Sequence, residues 1–106
     1  MTLRVVKVGT SLLRQRQETS TAEAIAGLSS NLAESMARGD RTVLVSSGAV
    51  GLGCQRLGMT QRPLSLPGLQ AAASVGQGYL MSLYEEEFSR HSIPVAQVLL
   101  TRADLA

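Results

Sequence analysis

The feature that most restricts the fold is an apolar run that stops abruptly at hydroxyl and glycine residues. Residues 43–53 read Val-Leu-Val-Ser-Ser-Gly-Ala-Val-Gly-Leu-Gly, which is typical of a buried strand leading into a loop whose backbone can approach a ligand closely. Two further stretches have the same form, residues 3–11 and residues 95–104. Because the carboxyl ends of parallel strands lie along one edge of an α/β sheet, where ligands bind, we expect the three loops to form one site.

The order of the predicted elements indicates an α/β fold, a parallel sheet with flanking helices. We predict strands at residues 3–8, 42–46 and 95–100, and helices from a capping box at residues 20–23 to Gly39, at residues 50–58 and at residues 67–91. A strand, a helix and a second strand of these lengths form a right-handed crossover, so the first two strands are expected to be parallel. The first strand is apolar apart from Arg4 and Lys7, and we expect it to be buried on both faces.

Helical spacing of apolar residues supports the first and the last helix. After the capping box, one apolar stripe is formed by Ile25, Leu28, Leu32 and Met36. The predicted inward face of the long helix consists of Leu69, Ala72, Ala73, Gly76, Leu80, Leu83, Tyr84 and Phe88. Because glycine lowers helix propensity, Gly76 and Gly78 are expected to allow close packing against a neighbouring element.

Composition argues against several classes of function. The chain has 106 residues, a net charge of +2, 3% aromatic residues and no tryptophan, so we expect one domain and no nucleic-acid-binding module that stacks bases. No run of about 18 apolar residues could span a membrane, and no apolar signal segment precedes the first strand. Cys54 is the only cysteine, so an internal disulfide is impossible and a reducing cytoplasm is expected.

Few side chains are candidates for nucleophilic or metal chemistry. We interpret Cys54 as a small packing residue and His91, the only histidine, as a surface residue near the C-terminus of the long helix. The three consecutive glutamates at residues 85–87 point in different directions around a helix. We therefore predict a solvated face there and no metal site.

The first loop has residue types that bind phosphate. Lys7 is followed by Gly9, Thr10 and Ser11. Glycine lets backbone N–H groups reach phosphate oxygens, and the lysine ammonium supplies a compact positive charge. The residue order of a Walker A loop is absent. Taken alone, the pattern leaves open a lysine that simply extends from an edge strand into solvent.

The second loop begins at Ser47 and is rich in glycine. Gly51 and Gly53 match the first two glycines of a dinucleotide-binding fingerprint, but Arg56 stands where the third belongs, so a dinucleotide cofactor is not expected. Ser47 and nearby N–H groups fit a carboxylate or a phosphate; the alternative is a plain turn with a serine helix cap. We expect Lys7 and Ser47 to lie side by side at one edge of a three-stranded parallel sheet.

Four motifs, in this order, resemble the glutamate 5-kinases of the amino acid kinase superfamily. They are Val-Lys-Val-Gly-Thr-Ser at residues 6–11, Val-Ser-Ser-Gly-Ala-Val at residues 45–50, Ala-Ala-Ser-Val-Gly-Gln at residues 72–77 and Gln-Val-Leu-Leu-Thr-Arg-Ala-Asp at residues 97–104. The likeness covers nearly the whole chain.

The resemblance implies a Rossmann-like three-layer sandwich. It also implies ATP-dependent phosphorylation of the L-glutamate side-chain carboxylate, with Mg²⁺, to glutamyl 5-phosphate, the first step of proline biosynthesis. By analogy, the ATP phosphates are bound by Lys7, Gly9, Thr10 and Ser11, with Lys7 as the catalytic residue. Glutamate is then bound by Ser47, Gly48 and Ala49. The full-length protein is expected to be a cytoplasmic homo-oligomer.

The length of the chain bears on this interpretation. The family's kinase domain is much longer, so residues 1–106 are expected to be its N-terminal, substrate-binding part, with little or no activity alone. Two alternatives stay open. One is a non-catalytic α/β module that binds an anion or pairs with another chain. The other is a related kinase that acts on another small acceptor.

Overall fold

The structure is a computed structural model that describes residues 2–9 and 21–98. Within this part, two strands and three helices follow one another as β1 (Leu3–Val8), α1 (Thr21–Ala37), β2 (Arg41–Ser46), α2 (Ala49–Arg56) and α3 (Leu66–Ser89). Each predicted boundary in these five elements is met to within two residues. The end of the fourth motif, residues 101–104, lies outside the described residues.

The two strands pair in parallel, as the strand–helix–strand order predicts. Leu3 pairs with Arg41 at one end and Val8 pairs with Ser46 at the other. Helix α1 connects them, and its apolar stripe faces the core, where Ile25 and Leu32 are buried. The helix ends where expected, because Gly39 adopts a φ of 94° that favours glycine after a helix.

Only one face of the sheet is covered by the described helices. Val6, Val8 and Leu44 pack there against a core built from α1 and α3. On the other face, Val5 is 67% exposed and Val43 is 49% exposed. The prediction that β1 is buried on both faces is therefore wrong. Continuous apolar composition marks residues able to lie in a buried strand, but burial also requires a second layer, which the described residues do not provide.

The third predicted strand is not formed over residues 95–98. The sheet of the described residues has two strands, and Val98 is 79% exposed. Ile93 and Val95 instead pack partly buried against the helical core. Apolar composition sets the propensity for a strand, but a strand exists only where a neighbour completes its hydrogen bonds. Residues 99–100 of the predicted strand lie outside the described part.

Helix α3 is the longest of the described elements and contributes half of the buried residues in the core cluster. Ser65 caps it by accepting a hydrogen bond from the Gly68 N–H at 3.2 Å. Its buried residues all belong to the predicted inward face: Ala72, Gly76, Leu80, Leu83, Tyr84 and Phe88. No helix among residues 2–9 and 21–98 combines the length and the hydropathy needed to cross a membrane.

One of the two glycines of α3 allows close helix packing. A Cβ atom at Gly76 would overlap the backbone carbonyl of Ala49, the first residue of α2, whereas a Cβ atom at Gly78 would meet nothing within 4 Å. The prediction is therefore confirmed for Gly76 and wrong for Gly78. The two positions are half a turn apart, so they face opposite sides of the helix.

A cluster around Asp40 ties together the amino-terminal edge of the sheet. The Asp40 carboxylate accepts hydrogen bonds from the Ser35 hydroxyl at 2.8 Å, the Arg4 Nε at 3.2 Å and the Thr2 N–H at 3.3 Å. It thus connects the end of α1 with the start of both strands. The Ser35 hydroxyl, helped by Thr2 and Arg4, holds the pKa of the Asp40 carboxyl below its usual value of 3.8.

The glycine pair on α3 gives a stability prediction. We expect Gly76→Ala to destabilise the protein by about 1–3 kcal/mol, because α2 and α3 must separate to admit the methyl group. We expect Gly78→Ala, its matched control, to stabilise by about 0.5–1 kcal/mol through helix propensity. Urea unfolding followed by circular dichroism measures both, and equal effects of the two substitutions would contradict the packing described here.

The Asp40 cluster gives a pH prediction. Because the pKa of Asp40 is lowered by folding, its stabilisation is complete above the unfolded-state pKa and is lost as pH falls through the folded-state pKa. Asp40→Asn should therefore lower the urea midpoint at pH 7 and have a much smaller effect near pH 2. The control is Glu34→Gln on the exposed face of α1. An Asp40→Asn deficit that is constant across this range would refute the assignment.

Candidate functional site at the carboxyl edge of the sheet

The carboxyl ends of β1 and β2 bring the first two predicted loops together. Val8 pairs with Ser46, and the Ser47 N–H donates a hydrogen bond to the Val8 carbonyl at 3.3 Å. Gly9 and Gly48 continue the chain from these two strand ends. The expectation that Lys7 and Ser47 lie at the same edge of a parallel sheet is thereby confirmed, although for a two-stranded sheet. Thr10 and Ser11 lie outside the described residues.

Lys7 is the cation at this edge. It pairs with Val45 in the strand register, and its exposed side chain belongs to the uncovered face of the sheet, with Val5. Lys7 is also the only lysine in the sequence. Among the described residues it takes part in no ion pair, so its ammonium is available to an anion at the rim.

The turn from β2 into α2 depends on Gly48. This residue is the N-cap of α2 with a φ of 96° and a ψ of 4°, a left-handed conformation that an L-residue with a side chain adopts at a cost. Its carbonyl accepts the first helical hydrogen bond, from the Leu52 N–H at 3.0 Å. Because the N-cap residue is a glycine, the alternative in which a serine is the N-cap residue does not describe the turn.

The start of α2 offers backbone donors at the rim. The N–H groups in the first turn of a helix have no intrahelical acceptor and favour anions. In α2 these groups belong to residues 49–51, since the first helical hydrogen bond is the one from Leu52. The rim thus combines one ammonium with several backbone N–H groups, a set suited to carboxylate and phosphate oxygens.

Sequence reasoning missed the contact between Ser46 and Tyr84. The two hydroxyl oxygens lie 3.2 Å apart, at the point where β2 ends and the loop begins. Tyr84 is 6% exposed, and burial raises the pKa of its phenol. A signal was present in the sequence, because a tyrosine on the inward face of a helix needs a polar partner for its hydroxyl. The sequence alone did not name that partner.

The described residues contain no group of three or more His, Cys, Asp or Glu side chains that could hold a metal ion. Two of the three consecutive glutamates lie within 4 Å of Arg90: Glu86 at 3.5 Å and Glu87 at 3.4 Å. These ion pairs lie at the end of α3. They account for Glu86 and Glu87 as helical side-chain pairs, and Glu85 is exposed.

Comparison with known proteins identifies the family. The family model described as "Amino acid kinase family" matches residues 2–105. This chain belongs to the amino acid kinase family. The two strands, the crossover helix and the glycine-rich rim therefore represent an incomplete form of the amino acid kinase α/β fold.

The curated relatives agree on a more specific name. The chain is 61% identical over 106 residues to "Glutamate 5-kinase" of Parasynechococcus marenigrum, covering 100% of this chain and 29% of that protein. It is 60% identical over 105 residues to "Glutamate 5-kinase" of Prochlorococcus marinus strain MIT 9313, covering 99% and 29%. It is also 60% identical over 105 residues to "Glutamate 5-kinase" of Synechococcus sp. strain CC9902, covering 99% of this chain and 28% of that protein.

These relatives confirm the resemblance found in the motifs. The likeness extends over the whole chain, but the chain spans less than a third of the length of the relatives. The roles of Lys7, Gly9 and the loop at residues 47–49 therefore stay predictions, as do those of Thr10 and Ser11.

The left-handed turn gives a prediction for this amino acid kinase segment. Gly48→Ala should destabilise the chain by about 1–2 kcal/mol, because alanine is strained at this φ. The control is Gly51→Ala, an exposed helical position three residues later with nothing within 4 Å of an added Cβ, which should be neutral or gain up to about 1 kcal/mol. Urea unfolding checks both, and a stable Gly48→Ala variant would contradict the turn.

Proposed function

We propose that residues 1–106 form the acceptor-binding part, together with part of the phosphate-binding machinery, of an ATP-dependent glutamate 5-kinase. The reaction is transfer of the γ-phosphoryl group of ATP to the side-chain carboxylate of L-glutamate, giving glutamyl 5-phosphate for proline biosynthesis. The observation that carries the proposal is the rim at which Lys7 and the loop at residues 47–49 lie on neighbouring parallel strands. The names and identities of the relatives support the choice of substrate.

The chemistry matches the residue types at the rim. The side-chain carboxyl of glutamate has an ordinary pKa near 4.3, so the nucleophile is already ionised at neutral pH and needs no general base. A carboxylate oxygen attacks the γ-phosphorus, a new P–O bond forms, and the bond to the β-phosphate oxygen breaks to release ADP. The protein must align the two substrates and stabilise the transferring charge.

The residues divide this work between the two loops. In the proposal, Lys7 contacts the phosphates of ATP, together with the backbone of Gly9 and the loop residues Thr10 and Ser11. The glutamate carboxylate groups are bound by Ser47, Gly48 and Ala49. Mg²⁺ would arrive with the nucleotide, since it is commonly held through substrate phosphates and water, and it would neutralise charge on the phosphoryl oxygens.

The rest of the site belongs to the remainder of the kinase. Because the chain spans 29% of its relatives, we propose that adenine binding and the other glutamate contacts come from outside this segment and that residues 1–106 alone do not turn over. The free thiol of Cys54 fits a protein of the cytoplasm. We further propose that the complete enzyme is a homo-oligomer.

A chimera tests this function. Residues 1–106 replace the aligned segment of the Parasynechococcus marenigrum relative, and ADP formation is measured with glutamate, carbamate, acetylglutamate, aspartate and uridylate as acceptors. We expect activity only with glutamate. Lys7→Met should lower kcat at least about 100-fold, because a positive charge at the transferring group is lost. Arg62→Met, in the connector before α3, removes the same charge elsewhere and should leave kcat unchanged.

Two results would overturn the proposal. An active chimera that uses another acceptor in place of glutamate would assign a different kinase reaction to this segment. A Lys7→Met variant with the kcat of the parent chimera would remove Lys7 from the machinery, whatever the acceptor.

A further inference from the structure

Helix α3 contacts both ends of the loop between β2 and α2. At the strand end, the Tyr84 hydroxyl lies 3.2 Å from the Ser46 hydroxyl. At the helix end, Gly76 packs so closely against Ala49 that no Cβ atom fits between them. The two contacts lie eight residues apart on one helix, about 12 Å along its axis. The short loop between Ser46 and Ala49 is therefore held at both ends by one rigid element.

The tyrosine side of the contact between Tyr84 and Ser46 is held in the core, whereas Ser46 is exposed at the end of β2. Tyr84 is 6% exposed and its ring lies beside that of Phe88, with the ring centroids 6.4 Å apart. A ring fixed by packing holds its hydroxyl in one place. A tyrosine phenol carries its proton at neutral pH, and burial raises the pKa of the Tyr84 phenol further, so its hydroxyl remains a hydrogen-bonding partner for Ser46.

We propose that Tyr84 is a positioning residue for the acceptor-binding loop: through the Ser46 hydroxyl it fixes the end of β2, and with it Ser47 and Gly48. Tyr84 does not touch the substrates. It acts through the strand end, where the Ser47 N–H is bonded to the Val8 carbonyl. This inference rests on the proposed function, in which residues 47–49 bind glutamate.

The geometry also indicates which substrate is affected. Successive strand residues face opposite sides of a sheet. Ser46 therefore faces the helices, whereas Lys7 lies on the uncovered face. Loss of the Tyr84 hydroxyl should consequently disturb the glutamate loop and leave the ATP-binding cation in place. A general loss of stability would instead affect both substrates.

The test uses the chimera described above with Tyr84→Phe. Losing one hydrogen bond of ordinary strength should raise KM for glutamate about 3- to 10-fold, with KM for ATP changed less than about twofold. The melting temperature should stay within about 5 °C of the parent. Ser46→Ala should give the same increase, and the double variant should add little, because both changes remove one interaction.

A readout independent of catalysis separates this inference from the proposed function. Hydrogen–deuterium exchange of the segment at residues 46–50 should be faster in Tyr84→Phe than in the parent chimera. The matched control is Tyr79→Phe, which removes a hydroxyl from the same helix where the ring contacts the Arg56 guanidinium, 4.4 Å from the ring centroid. Tyr79→Phe should change neither KM for glutamate nor the rate of hydrogen–deuterium exchange at residues 46–50.

The outcomes are distinguishable. Unchanged exchange and unchanged KM for glutamate in Tyr84→Phe would overturn the positioning role even if the enzyme is a glutamate kinase. An equal increase in KM for both substrates would also overturn it. Faster exchange in a chimera that does not use glutamate would support the role of Tyr84 in holding the loop and refute the proposed acceptor.

Discussion

The parallel register between β1 and β2 is the constraint on which the site depends. Six residue pairs, from Leu3 with Arg41 to Val8 with Ser46, place the two carboxyl ends at the same level. A shift of one residue would exchange the faces of the sheet for every side chain of one strand. The Asp40 cluster at the opposite edge, which bonds to Thr2 and Arg4, opposes such a shift. The hydrogen bonds of Asp40 at the amino-terminal edge of the sheet therefore help to fix the register at the carboxyl-terminal edge, where the candidate site lies.

The site combines side chains from the two faces of the sheet. Ser46 reaches the helical layer and contacts Tyr84, while Lys7 stands on the opposite face with Val5 and Val45. The rim is where these two environments meet. In the proposed function, the loop after Ser46 binds the acceptor and Lys7 binds the donor phosphates; the alternation of side chains along a β-strand places Ser46 and Lys7 on opposite faces of the sheet.

Much of the local structure could be predicted from the sequence because it depends on local chemistry. The capping serine at Ser65, the glycine after α1 and the apolar stripe around Ile25 each require certain residue types at certain spacings. The placement of Lys7 and Ser47 followed from the direction of parallel strands. What the sequence did not predict depends on partners distant in the chain: the absence of a strand over residues 95–98, the face of the sheet beside Val5 that the described helices leave uncovered, and the hydrogen bond between Tyr84 and Ser46.

The uncovered face of the sheet, which includes Val5 and Val43, affects how this polypeptide behaves in solution. A sheet with apolar side chains exposed on one side gains only part of the hydrophobic stabilisation available to a sheet enclosed by two layers. The folding stability of such a sheet then depends largely on what packs against the exposed apolar face. The melting temperature and the solubility of residues 1–106 should therefore depend on whether further polypeptide packs against this face.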